Sequence, residues 1–204
     1  MKIKSIIQGR VQTNSYIISN QEKCILIDPE GDISSFVAYI ENKHLTPVAI
    51  LLTHGHFDHI GAVDALKELY HLPVYASAKE VELLKEPSLN LSTHIGKKIS
   101  VQVDHTLQDL DILNLADLEI TVWETPGHTS GSVCYFIEDH IFSGDTIFEK
   151  TYGRIDFPTG NKEQMISSIH RILSLEKDYV IHPGHGDPTT VFEEQKQNPL
   201  RIKA

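Results

Sequence analysis

A run of five apolar residues, Val48-Ala49-Ile50-Leu51-Leu52, opens through Thr53 directly into His54-Gly55-His56-Phe57-Asp58-His59. Continuous apolarity is the pattern of a strand buried on both faces, so it needs a covering layer on each side and implies an α/β fold. Its end then carries three imidazoles and one carboxylate within six residues. Such groups rarely crowd together unless a metal ion holds them. A strand end followed by a tight turn, eased by Gly55 and Gly61, can splay these side chains toward two points a few ångströms apart. His54 and His56 would serve one point, Asp58 and His59 the other.

The remainder of the chain supplies the covering layers. Strand-like segments at Ile3–Ile7, Tyr16–Ile18 and Cys24–Asp28, separated by turn formers at Gly9, Asn14, Asn20 and Gln21, predict an antiparallel start. Helices are expected at Ser34–Asn42, which Thr46-Pro47 closes off, and at Ala62–Tyr70, Ala78–Lys85 and Asn161–Leu173. Further strands are expected at Pro73–Ala76, Ile112–Leu115, Leu118–Glu124, Ser132–Ile137, His140–Phe142 and Tyr179–His182, whereas 88–103 carries little signal. Strands in groups with helices between them favour two packed sheets inside helices over a simple doubly wound sheet.

With 204 residues and 40% apolar content the expectation is one domain, 1–204, with a core of its own. A formal charge of −10 is the wrong sign for tracking phosphate backbones, so nucleic acid is not an expected partner. The opening Met1-Lys2-Ile3-Lys4 lacks an apolar signal core and no run approaches the roughly 20 residues of a membrane span, so a cytoplasmic protein without membrane attachment is expected. Cys24 and Cys134 are the only cysteines, each inside an apolar run, which rules out a disulfide framework.

Three more candidate ligands follow strand-like runs: His128 in Pro126-Gly127-His128-Thr129, Asp145 in Ser143-Gly144-Asp145, and His185 in Pro183-Gly184-His185-Gly186. Each sits after a glycine, which lets the backbone turn and aim the next side chain at a common centre. Singly, each also suits a loop or a turn cap; together with the first cluster they complete a ligand set. Thr-His-x-His-x-Asp-His, Pro-Gly-His-Thr-x-Gly, Ser-Gly-Asp and Pro-Gly-His-Gly resemble the metallo-β-lactamase superfamily, and especially its glyoxalase II-type hydrolases, over nearly the whole chain.

That resemblance implies an αββα sandwich of two mixed sheets flanked by helices. It places His54, His56 and His128 on one divalent ion, Asp58, His59 and His185 on a second, and Asp145 as the bridge. Zinc is the expected metal, with iron or manganese as alternatives for a nitrogen and oxygen donor set without sulfur. Two ions roughly 3.5–4 Å apart would share a water that deprotonates near neutral pH and attacks an acyl carbonyl, Asp58 orienting it and relaying a proton. The expected substrate is a small thioester of the S-lactoyl-glutathione kind, or another S-acyl thiol.

The resemblance extends to Gly153-Arg154-Ile155-Asp156, where Arg154 is carried over as a clamp for a carboxylate of the thiol; the alternative is a loop-fixing pair with Asp156. No counterpart of the C-terminal helical domain of glyoxalase II is expected after His185. Persulfide dioxygenases, using one iron on His54, His128 and Asp145, and lactonases are the rival members. Secreted β-lactamases, which carry a signal peptide and a Cys at the place of Asp145, fit less well, and the nucleic-acid-processing members need insertions for which there is no length. No Gly-x-Ser-x-Gly elbow or Gly-x-x-x-x-Gly-Lys-[Ser/Thr] loop occurs. The remaining histidines are expected to be surface or packing residues, His182 the least securely, and Asp28 is a candidate support for the metal loops.

Overall fold

Alternating apolar residues set the first sheet. Strands β1 (Lys2–Gln8), β2 (Thr13–Asn20) and β3 (Lys23–Ile27) run antiparallel, and β4 (Thr46–Leu51), β5 (Val74–Ser77) and β6 (His105–Leu107) add to them in parallel, in the order β1-β2-β3-β4-β5-β6. Parallel neighbours need crossovers. α1 (Ser34–Asn42) lies between β3 and β4, α2 (Phe57–Ile60) and α3 (Val63–Tyr70) between β4 and β5, and α4 (Val81–Lys85) between β5 and β6. The structure is a computed structural model describing residues 1–201; residues 202–204 of the expected 1–204 unit lie outside the described residues.

The second sheet is mostly antiparallel: β7 (Ile112–Leu115), β8 (Leu118–Glu124), β9 (Val133–Ile137) and β10 (His140–Gly144) form a meander. A small hairpin of β11 (Ile147–Phe148) and β12 (Thr151–Tyr152) and then α5 (Lys162–Leu173) follow. The chain returns as β13 (Val180–Pro183), parallel to β10, and closes with β14 (Thr189–Thr190) and α6 (Val191–Gln197).

The period-2 alternation of each central strand divides its side chains between two cores. Ile18, Ile25, Ile27, Ala49 and Leu51 face Ile120, Val122, Val133, Tyr135 and Phe142 of the other sheet. Their neighbours Ile17, Cys24, Leu26, Ile50 and Leu52 face outward onto Phe36, Ile40, Val63 and Leu66 of α1 and α3. On the far side, Cys134, Ile141 and Ile181 pack under Met165, Ile169 and Ile172 of α5. The expected αββα sandwich follows from these three interfaces.

Several local expectations change. Asn14 is not a turn residue but a buried position of β2. Thr46 and Pro47 open β4, where Pro47 is tolerated because the pairing with β3 shifts register between Cys24 and Ile25. β6, the β11–β12 hairpin, β14 and α6 had no visible signal, being two to three residues long or, for α6, short and polar. Cys24 and Cys134 are free and buried.

Candidate metal centre

The two sheets deliver their functional loops to one end of the sandwich. β4 ends one residue before Leu52-Thr53-His54; His56 is extended (φ −66, ψ 151) and serves as the N-cap of α2, whose single turn carries Asp58 and His59. A helical turn therefore replaces the tight glycine turn expected at this place. His128 follows β8, Asp145 follows β10 and His185 follows β13. Gly127 and Gly144 have the positive φ that the sharp turns require (+143 and +48). Gly184 is glycine for a different reason: a Cβ there would collide with Asp145 and His59.

All seven expected ligands come together. His54, His56 and His128 form one group of donors, and Asp58, His59 and His185 another, with ligand atoms within 4.8 Å of one another in each. Asp145 lies between them, its Oδ1 3.4 Å from His59 Nε2 and its Oδ2 3.5 Å from both His128 Nε2 and His185 Nε2. Asp58 Oδ2 stands 3.2 Å from His185 Nε2 and 3.5 Å from His59 Nε2.

Hydrogen bonds on the far side of three rings fix which nitrogen faces inward. His59 Nδ1 donates to Asp28 (2.9 Å), His128 Nδ1 to the Arg154 carbonyl (2.7 Å) and His185 Nδ1 to the Val11 carbonyl (3.1 Å). Each Nε2 faces into the cluster, that of His128 standing 2.9 Å from His56 Nδ1, which is how metal-binding imidazoles are held. Burial pushes the His54 imidazole well down and the His56 imidazole to about 3, so both rings are neutral and available as ligands.

On the other flank, burial opposes charge on His59 and His185, yet the facing carboxylates Asp58 and Asp145 outweigh it, driving His59 well up and His185 to about 9. The protein alone can balance these carboxylates only with protons on neighbouring imidazoles. His54 Nε2, His59 Nε2 and Asp145 Oδ1 are buried without hydrogen-bond partners, an arrangement that is costly unless cations complete it. The donor set thus fits two divalent ions.

The supports around this cluster come from distant sequence. Asp28 receives the Thr53 amide (2.8 Å) and hydroxyl (2.5 Å) in addition to His59. Thr13 donates to Asp58 (3.2 Å). The Asn14 side-chain amide donates to the carbonyls of Pro183 and Gly186, and the Tyr16 hydroxyl to that of Pro183, tying the His185 loop of one sheet to the first strands of the other. Glu80, fully buried, accepts the Gly55 amide (3.0 Å) between the two ligands of the first motif. Sequence reasoning singled out only Asp28 among these.

A cavity opens against the cluster at His56, Asp58, His128, Asp145 and His185; Arg154 lines it, and its guanidinium makes a two-pronged pair with Asp156 (2.9 and 2.7 Å) over the face of Phe157 (4.3 Å). Tyr152 also borders the cavity. His182 is a packing residue, stacked on Phe142 and paired with His140 (2.9 Å). No helix among the described residues is long and apolar enough to cross a membrane.

Residues 8–185 match the family model of the metallo-β-lactamase superfamily. The chain belongs to that superfamily. Among curated relatives, the probable metallo-hydrolase YqgX of Bacillus subtilis is 39% identical over 98% of this chain and 97% of its own length. The hydroxyacylglutathione hydrolase GloC of Haemophilus influenzae is 33% identical over 98% of each. Among solved structures, the B3 metallo-β-lactamase BLEG-1 superposes with a TM-score of 0.92 at 38% identity, covering 97% of this chain and 98% of that one. The di-iron-bound form of TTHA1623 gives 0.86 at 34% identity, covering 96% and 98%. Family and donor cluster together make this a metallo-hydrolase with a dinuclear site.

Proposed function

We propose that the protein hydrolyses thioesters. The observation that carries this reading is the inward set of Nε2 atoms at His59, His128 and His185 around Asp145, with a cavity of about 350 Å3 directly against it. His54, His56 and His128 would hold one ion, Asp58, His59 and His185 the other, and Asp145 both, with zinc first and iron or manganese as alternatives for the same donors. Two such ions supply a water of lowered pKa and a Lewis acid for the acyl carbonyl.

The chain's own residues do the remainder. Asp58, held by the Thr13 hydroxyl, is placed to take a proton from the attacking water and return it to the departing sulfur, so that the C–S bond gives way to a C–O bond and acid and thiol leave. Asp28 keeps the His59 ring in the tautomer that leaves Nε2 free. The aromatic side chains Phe57, Phe148 and Phe157 border the cavity and limit water around the reacting carbonyl. Support for a thioester comes from the likeness to GloC over the full length of both chains. β-Lactam hydrolysis is the second reading, favoured by the likeness to BLEG-1.

A panel on metal-loaded protein separates the readings. An S-lactoyl or S-acetyl thioester, a β-lactam, a lactone, and a persulfide with oxygen uptake would be assayed side by side. Turnover of the thioester at least ten times that of the others is expected; β-lactam turnover alone, or oxygen uptake with one iron per chain, would replace it.

A further inference from the structure

The cavity against the metal centre says more about the substrate than its reaction class. Beyond the metal-binding side chains and Arg154, its walls are Val11, Phe57, Leu91, Phe148, Tyr152 and Phe157. They flank both halves of the centre: the Phe157 ring lies 5.5 Å from that of His56, and the Phe148 ring 6.0 Å from that of His185. Phe57, Phe148 and Phe157 are half-buried and Val11 is 49% exposed, so apolar surface on both sides remains for a ligand to cover.

Charge points the same way. Among the described residues lining the cavity, Arg154 is the one guanidinium or ammonium group, and its Nε and Nη2 donate to Asp156. A substrate carboxylate would reach the Nε edge of Arg154 only by displacing Asp156, and the Nη1 side only with the Asp156 charge beside it, so it would gain little. The formal charge of the whole chain is −10. A thiol carrying several carboxylates, as glutathione does, would have to set them against aromatic walls and beside Asp156.

We infer that the thioester taken here is uncharged and apolar on its thiol side, so that the carrier thiol is recognised by aromatic contact and not by a cationic clamp. This rests on the thioester reading above, and it replaces the carboxylate clamp expected of Arg154. Because apolar walls flank both halves of the centre, it holds whichever half receives the thiol.

The test compares two thioesters with the same acyl group, S-acetyl-glutathione and N,S-diacetylcysteamine, on metal-loaded protein, and adds a thioether pair that cannot be hydrolysed, S-benzylglutathione and N-acetyl-S-benzylcysteamine, titrated by calorimetry. The neutral thioester should show kcat/KM about 10-fold higher, and the neutral thioether should bind about 10-fold more tightly. Phe157→Ala should weaken the neutral thioether about 10-fold, in keeping with loss of one aromatic wall, with the metal content unchanged. Asp156→Asn, which frees Arg154, should improve the glutathione ligand selectively. Equal or tighter binding of S-benzylglutathione by the unaltered protein, lost in Arg154→Met, would overturn the inference. If neither thioester turns over while the neutral thioether still binds more tightly, the reaction assignment fails and the apolar recognition stands.

Discussion

The Asp28 carboxylate accepts the Nδ1 hydrogen of His59 at 2.9 Å across 31 positions of sequence, and the oxygen that does so also accepts the Thr53 hydroxyl. One side chain at the end of β3 therefore sets both the tautomer of a candidate ligand and the course of the chain leading into the motif. Asp28 itself has φ +48, a conformation that Asn tolerates. Asp28→Asn should keep the fold and lower affinity for the second metal by about 10- to 100-fold, the usual effect of losing a partner of a metal-bound imidazole. Competition with a graded chelator measures this; unchanged retention of both ions would show that His59 is oriented by other contacts.

Seven donors in two overlapping groups predict close to two ions per chain in protein purified without chelator. Their removal should lower the melting temperature, because binding to the folded state alone at a hundred times Kd contributes about 2.7 kcal/mol. Elemental analysis and thermal unfolding with and without chelator are the measurements. One ion per chain under saturating zinc, iron and manganese would rule out the dinuclear arrangement.

Asp145 faces both donor groups, whereas His185 faces one. Asp145→Ala should reduce turnover by at least ~100-fold, since a ligand matters no less than the partners that orient ligands, and His185→Ala should cost less and spare one ion. Activity assays paired with metal counts decide it. Equal loss of both ions in the two variants would contradict the bridging position of Asp145.

Burial raises the Glu80 carboxyl from an ordinary 4.5 to about 7, against the opposing hydrogen bond from the Gly55 amide. Between these values the folded protein retains a proton that the unfolded chain has released, so this group makes stability fall as pH rises through that window. The full penalty, about 3 kcal/mol at 1.36 kcal/mol per pKa unit, is present above pH 7. Glu80→Gln retains an acceptor for Gly55 without the charge. Relative to the unaltered protein it should gain stability steadily from pH 5 to pH 8, by denaturant unfolding at fixed metal concentration. A difference that does not change with pH would mean that Glu80 is ionised throughout.

The candidate donors were legible in the sequence because metal chemistry demands particular side chains, and those cannot be disguised: four in His54–His59, then His128, Asp145 and His185 after strand ends. The four-layer architecture was legible as well, since β3 and β4 carry apolar residues at both alternations and each needs cover on both faces. What holds the ligands was not legible. Thr13, Asn14, Tyr16 and Glu80 are ordinary strand and helix residues by composition, and their importance arises from contacts with Asp58, Pro183 and Gly55 made across the sandwich.

Gly184 illustrates the same limit: its sequence context suggests a flexible turn, but it is the closeness of Asp145 and His59 that excludes a side chain. Arg154 is another case, its partner Asp156 being two residues away while its place over Phe157 at the cavity wall depends on the fold. Sequence determined which chemical groups were present and which strands were buried, because ligand type and apolar periodicity are local properties. Tertiary structure decided which groups meet, which imidazole nitrogen faces the centre and how the cavity is charged, because those depend on distances between segments that no local pattern encodes.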